Sequence, residues 1–362
     1  MNPATLSRTG ARVTDTIEIP EARRAPLARI LDTVDGAERI VVTTHVNADG
    51  DGAGSEAALA AWLAGRGKDV TIVNPTPFPA TYLHLVDDPA RVKDFGTPDG
   101  ERALDEADLI VVVDTAEPRR LGRMVKRLQG RSVIIVDHHP PGDEALPGFG
   151  IQDASACATG ELIFDLLRLA GEDGRAAWPD PVAEALYTAI VSDTGSFRYA
   201  NTTPRTHAIA AELMRRGVDP EAVYRRLFAT APLRRIRLLR EALDRLDVDP
   251  ELPITWITLP NEVLKPLDTR SEDLDGIIEY ARMVEGTEVA LLFRETPDGA
   301  TKVSFRSNGD VDVNELARRF GGGGHVKASG AVVGRPLAVA CNEILDATRE
   351  AVRSLEKYRN NG

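Results

Sequence analysis

Two runs of this chain set histidine and aspartate at ligand spacing: His45, Asp49 and Asp51 in the segment HVNADGD, and Asp137, His138 and His139 in the segment DHH. Asp114 stands alone between them, and a fourth acid, Asp193, follows within Ser192-Asp193-Thr194-Gly195. Carboxylates gathered at one point repel one another and lose hydration unless cations neutralise them. Imidazole and carboxylate donors together suit divalent metals, and metals held this way usually serve phosphate chemistry. Such chemistry requires a fold that brings the four segments together.

The elements that would do so are legible. Residues 39–44, 109–113 and 132–136 are β-branched runs that read as buried parallel strands, ending at His45, Asp114 and Asp137. Residues 69–73 give a further strand, followed by a proline-rich loop at 74–79. Residues 55–63 form an alanine-rich helix stopped by Gly65 and Gly67, and 121–128 and 182–191 also read as helical. Strand and helix in alternation predict an α/β fold with a parallel, doubly wound sheet. In open sheets of this kind the ligand site lies beyond the C-terminal strand ends. His45, Asp49, Asp51, Asp114, Asp137, His138 and His139 should therefore share one rim. Asp193, after the helix at 182–191, can return to it.

Further along, 204–216, 220–228 and 233–246 are helix-like. Residues 1–20 read as a mobile extension and 21–228 as the first domain. A helical linker covers 229–249, and a smaller α/β domain covers 250–357. That domain has strands at 254–259, 288–294 and 301–306, helices at 272–284 and 313–320, and a closing helix at about 337–357. Asp312 and Glu315 match a capping box for the helix at 313–320.

Composition narrows the function. At 362 residues two domains are the default. A net charge of −12 argues against broad binding to duplex DNA, which needs basic surface, but allows a small anionic substrate held by metals and a few arginines. The two cysteines, Cys157 and Cys341, match no zinc or disulfide spacing and read as reduced thiols of a cytoplasmic protein. No apolar run approaches a membrane span, and the first 20 residues lack the apolar core of a signal peptide.

Each motif has a plainer reading. Asp49, Gly50, Asp51 and Gly52 make good turn chemistry. An Asp after a strand, as at 114, is more often a helix cap, although one carboxylate between two other strand ends could bridge two cations. Vicinal histidines after a buried strand rarely serve packing. Adjacent side chains on extended backbone point opposite ways, so one of His138 and His139 can bind metal while the other faces substrate. Asp137 could orient a ring from behind. In the second domain, Gly321, Gly322, Gly323 and Gly324 precede His325. A helix stop would use one glycine; four exceed that need and let backbone N–H groups approach a phosphate or base. His84 and His207 match no motif and are assigned to structure.

Together the order HxxxDxD, D, DHH, D resembles the DHH phosphoesterase superfamily over about residues 37–203. The segment KVSFRS at 302–307, with the glycine run and His325, looks like the DHH-associated domain of the first type. Spacing and length resemble the bacterial oligoribonuclease and phosphoadenosine-phosphate phosphatase group. The resemblance implies that His45, Asp49 and Asp114 hold one metal and that Asp51, Asp114, His138 and Asp193 hold the second, with Asp114 bridging. His139 would face the scissile phosphate. Ala48 stands where the family often has Pro, which touches loop stiffness rather than a ligand. Arg306, His325 and the four glycines would contact substrate, with Arg198 a further phosphate contact.

Two divalent ions are implied, Mn2+ first and Mg2+, Co2+ or zinc not excluded by geometry. The substrate would be short RNA or a linear or cyclic dinucleotide, held in the cleft between the domains and cleaved to nucleoside 5′-monophosphates. 3′-Phosphoadenosine 5′-phosphate is a second candidate, and a homodimer is implied. Rival readings are a RecJ-like exonuclease, a family II pyrophosphatase and a catalytically silent nucleotide-binding module; the intact set of acids and histidines speaks against the last.

Overall fold

The computed structural model describes residues 17–142, 144–171 and 178–361. The chain divides into two compact units, Met1–Ala229 and Thr230–Gly362.

In the first unit the β-branched runs become β1 (Arg39–Thr43), β2 (Asp69–Asn74), β3 (Val92–Asp94), β4 (Leu109–Val113), β5 (Val133–Asp137) and β6 (Phe149–Gln152). They form one parallel sheet in the order β3-β2-β1-β4-β5-β6. Its helices are α1 (Glu21–Asp35), α2 (Gly50–Gly65), α3 (Pro98–Glu106), α4 (Thr159–Ala170), α5 (Asp180–Asp193), α6 (Pro204–Arg215) and α7 (Pro220–Leu227). Alternate residues of each strand feed opposite faces. Ile40, Val42, Val111, Ile134 and Val136 pack with α1, α2, α4 and α5, while Val41, Ile110, Val112 and Ile135 pack over α3. Burial on both faces is why these strands read as continuous apolar runs rather than alternating ones. The strand order reverses between β1 and β4, which opens a crevice at their C-terminal ends.

Three local readings change. The Asp49–Gly52 stretch is not a free turn: Asp49 caps α2, which begins at Gly50, five residues before the alanine run suggested. Glycine allows this early start because α2 lies hard against α5. A Cβ at Gly54 would meet the Ala185 carbonyl at 2.5 Å. Residues 121–128 fall in a 3₁₀ stretch, Pro118–Leu128, broken at Gly122 (φ 55°). Its buried Leu121, Met124 and Leu128 have helical spacing, which hid the break. Strands β3 and β6 are short and flanked by turn residues, and left little periodic signal.

The second unit contains α8 (Leu233–Leu243), β7 (Leu246–Val248), β8 (Ile254–Leu259), α9 (Asn261–Leu264), α10 (Ile277–Arg282), β9 (Val289–Glu295), β10 (Thr301–Ser307), α11 (Val313–Arg318), β11 (Gly323–His325), β12 (Ala328–Val333) and α12 (Leu337–Asn361). The sheet order is β11-β12-β10-β9-β8-β7, antiparallel except for β8 with β9. Phe293 and Phe305 centre the core on one face, and Ile257, Leu259 and Leu292 the other. Residues 229–249, read as a linker, contribute α8 and the edge strand β7 here, and Leu238 and Ala242 are fully buried. The helix expected at 272–284 is interrupted at Gly276 (φ 78°), leaving a 3₁₀ turn and α10. Of the extension expected over 1–20, residues 1–16 lie outside the described residues. The remainder is anchored: Ile19 is buried, and the Ile17 carbonyl accepts from Arg168 at 2.9 Å. No helix among the described residues is long and apolar enough to cross a membrane.

Candidate metal centre

The ends of β1, β4 and β5 place the expected residues at one rim, in three overlapping groups, the third being Asp114, His138 and His139. The first is His45, Asp49 and Asp114. His45 Nδ1 lies 2.9 Å from its neighbour's carbonyl at Val46 and can only donate there. That tautomer leaves Nε2 as a lone pair, 3.2 Å from Asp114 Oδ2 and 3.9 Å from Asp49 Oδ2. Asp49 spends Oδ1 on the N–H groups of Asp51 and Gly52, so Oδ2 remains for this group. Asp114 has φ 63°, a left-handed conformation that aspartate tolerates better than most residues.

The second group is Asp51, His138 and Asp193. His138 Nε2 is buried without a hydrogen-bond partner among the described residues. Around it stand Asp51 Oδ2 at 3.6 Å, Asp193 Oδ2 at 3.6 Å and Asp114 Oδ1 at 3.7 Å. Asp193 arrives on the last turn of α5 and is held by Asn201 Nδ2 at 3.0 Å. Asp114 thus turns Oδ2 to one group and Oδ1 to the other.

Without cations this arrangement is unfavourable. Burial, then repulsion from Asp114, pushes the Asp51 carboxyl well above the usual range. Burial and Asp49 do the same to Asp114, and burial raises Asp193 against the pull of His138. Burial also lowers His45 and His138, which keeps their nitrogens as lone-pair donors. Four acids, two neutral imidazoles and an orphaned nitrogen fit two divalent cations.

His139 differs from its neighbour. Its Nδ1 lies 2.8 Å from Asp137 Oδ1, and that hydrogen bond raises its basicity despite partial burial. Burial opposes the Asp137 charge, but the hydrogen bonds from the His139 ring and N–H together with the charges of His139 and His138 hold that carboxyl below its ordinary value. Gln152 Nε2 braces Asp137 Oδ2 at 3.3 Å, and the His139 side chain keeps 40% exposure.

Sequence reasoning passed over several groups. Arg120 Nη1 lies 3.3 Å from His139 Nε2, and its only signal was a position six residues past Asp114. Thr159 and Gly160 donate to Asp51, and Thr159 to Asp114 as well. Backbone donors leave no trace in residue type. Phe197, in the loop after Asp193, stacks on His207 at 5.0 Å, which gives that histidine a packing role. Arg198 ties its Nε to the Gly195 carbonyl at 2.6 Å.

The residues expected to touch substrate in the second unit lie on its sheet. Arg306 on β10 pairs with Glu279 at 3.3 Å, and His325 is exposed on β11. Part of the glycine run has structural work. Gly321 (φ 74°) and Gly322 close α11, with the Gly322 N–H donating to Ala317 O at 2.9 Å. A Cβ at Gly322 or Gly324 would collide with β12. Gly323 is exposed and has no such collision.

A parallel sheet whose rim gathers acids and histidines into overlapping ligand groups defines a metal-dependent phosphoesterase. The chain belongs to the DHH family: residues 39–190 match the DHH family N-terminal domain and residues 261–354 match the DHHA1 domain. It is 34% identical over 329 residues, 90% of its length and 93% of the relative's, to the bifunctional oligoribonuclease and PAP phosphatase NrnA of Thermus thermophilus. It is 28% identical over 307 residues, 84% of this chain and 92% of the other, to the protein of that name in Bacillus subtilis. Among solved structures it resembles an exopolyphosphatase-related protein from Bacteroides fragilis, with a TM-score of 0.81, 26% identity, and 92% and 97% of the two chains covered.

Proposed function

We propose that the chain is a manganese-dependent phosphoesterase that hydrolyses short oligoribonucleotides or dinucleotides to nucleoside 5′-monophosphates and removes the 3′-phosphate of 3′-phosphoadenosine 5′-phosphate. The observation that carries the metal requirement is the orphaned His138 Nε2, faced by three carboxylates. The match over 90% of this chain and 93% of the Thermus thermophilus relative, and that protein's name, support the substrate class. The same match favours this reading over a RecJ-like exonuclease or a pyrophosphatase.

In this reading His45, Asp49 and Asp114 hold one cation, and Asp51, Asp114, His138 and Asp193 hold the other. Two divalent cations would supply a nucleophile from water at neutral pH and offset charge on the phosphoryl oxygens. Manganese suits mixed imidazole and carboxylate donors. His139, with Nδ1 given to Asp137, presents Nε2 outward. When protonated, that nitrogen and the Arg120 guanidinium are both donors and cannot satisfy each other. A phosphate oxygen between them would satisfy both, so Arg120 binds the phosphate and His139 gives its proton to the leaving oxygen.

Dialysis against chelator should abolish hydrolysis of a diadenylate, and manganese should restore it at two ions per chain; full activity in metal-free protein would overturn the reading. His138→Ala should lose metal, whereas His139→Ala should lower kcat by about 10²–10⁴-fold with metal content nearly intact. The reverse pattern, read by elemental analysis and turnover, would exchange the two roles.

Arg306, Arg198, His325 and the glycine run would contact the nucleotide. Because Glu279 already pairs with Arg306, Arg306→Ala should cost the dinucleotide reaction roughly tenfold, the low end for a charge-assisted contact. Hydrolysis of bis-p-nitrophenyl phosphate should be spared. Equal losses on both substrates would remove Arg306 from recognition.

A further inference from the structure

The first turn of α4 does something that neither the family motifs nor the relatives' names assign. Its N-cap residue is Ala158, which has no capping side chain. The open N–H groups are taken instead by a carboxylate from another helix. Asp51 Oδ2 accepts the Thr159 N–H at 2.7 Å, and Asp51 Oδ1 accepts the Gly160 N–H at 2.9 Å and the Ser55 hydroxyl at 3.1 Å. The positive end of a 12-residue helix thus faces a buried acid, a favourable placement of charge. Thr159 also reaches the other group: its Oγ1 donates to Asp114 Oδ1 at 3.0 Å. The residue is fully buried.

This turn is firmly held. Glu161 Oε2 accepts the Cys157 N–H at 3.1 Å, while Oε1 accepts Arg23 at 2.7 Å and Arg205 at 3.1 Å. Arg23 also binds Asp153 and Asp165, at 2.7 and 2.8 Å. Thr159 therefore stands on a braced turn and donates to two acids, one from each ligand group.

We infer that Thr159 is a positioning residue of the two-cation centre, its N–H orienting Asp51 and its hydroxyl orienting Asp114, so that the two carboxylates keep a fixed relation. The inference rests on the two-cation reading above. Asp114 Oδ1 faces His138, and Oδ2 faces His45. Loss of the hydroxyl frees Oδ1 and weakens the cation shared with His138 more than the one shared with His45. Thr159→Val keeps the N–H and the shape while removing the hydroxyl; Thr159→Ser keeps the hydroxyl and removes a methyl.

The test is calorimetric titration of manganese into chelator-treated, full-length parent, T159V and T159S. A second readout is the shift in melting temperature that manganese produces in each. The expected result is two ions in every protein, with one bound about 10–100-fold more weakly in T159V and near the parent's affinity in T159S. The manganese-induced shift should shrink in T159V alone, and most of the lost kcat should return at high manganese. Equal affinities in T159V and the parent would overturn the inference and leave the two-cation reading intact. So would T159S as weak as T159V, which would assign the effect to packing of the methyl. Fewer than two ions in the parent would overturn both.

Discussion

Asp114→Asn should lose at least about 10³-fold in kcat/KM. A ligand shared by two cations serves both, and each is worth several kcal/mol of charge stabilisation in the transition state. Asparagine is the informative replacement because it keeps the side-chain shape and tolerates the left-handed backbone at this position (φ 63°). The metal-free proteins should behave in the opposite sense. Burial and the neighbouring Asp49 make the Asp114 charge unfavourable when no cation is present. Metal-free Asp114→Asn should therefore melt no lower than the metal-free parent, while manganese should stabilise only the parent strongly. Two manganese ions per chain and near-parental turnover in the variant would show that Asp114 does not bridge.

Replacing Arg23 with Met should destabilise the protein by about 3–5 kcal/mol, since breaking a buried ion cluster leaves carboxylates uncompensated. For a body of this size that is a fall of roughly 6–20 °C in melting temperature. Arg23 is 2% exposed, Glu161 2% and Asp165 0%. Burial opposes the Glu161 charge, but Arg23, the Cys157 N–H and Arg205 together hold that carboxyl below its ordinary 4.5. Burial raises Asp165 to about 6 even with arginines beside it. The sign follows from these directions. The stability contributed through Glu161 is present above pH 4.5 and is lost as pH falls through its lower folded value. Asp165 is only half ionised at about 6, so its attraction to Arg23 is also strongest toward neutral pH and above. Arg23→Met should therefore cost most at pH 7 and least near pH 4, measured by denaturant unfolding at each pH. Arg23→Lys keeps the charge without the fork and should fall between. A loss that does not change with pH would mean that packing of the long side chain, not charge, holds α4.

Residue type and period revealed the parts of the centre that lie at strand ends. Continuous β-branched runs announced β1, β4 and β5, and the acids and histidines that follow them stand where a parallel sheet opens. The sequence was less readable where geometry depends on glycine or on backbone. The Asp49–Gly52 run looks like a turn because glycine weakens helical pattern, yet close packing on α5 draws it into α2. Thr159 and Gly160 reach Asp51 through N–H groups that every residue carries, and Arg120 reaches His139 across 19 positions of sequence. In the second unit the glycine run read as a ligand loop, but helix closure and sheet packing account for Gly321, Gly322 and Gly324, leaving Gly323 exposed and without such a role.

The central claim is that the residues at this rim would hold two divalent cations and that the protein so loaded would hydrolyse short nucleotides. The most direct measurement is kcat/KM in manganese for a diadenylate, 3′-phosphoadenosine 5′-phosphate, a 24-residue RNA and pyrophosphate, each repeated after chelation. The account predicts hydrolysis of the first two to adenosine 5′-monophosphate, a strong preference for RNA of two to about five residues over the 24-mer, little action on pyrophosphate, and loss of all activity on chelation. Equal rates on the diadenylate and the 24-mer, or pyrophosphate as the best substrate, would contradict it.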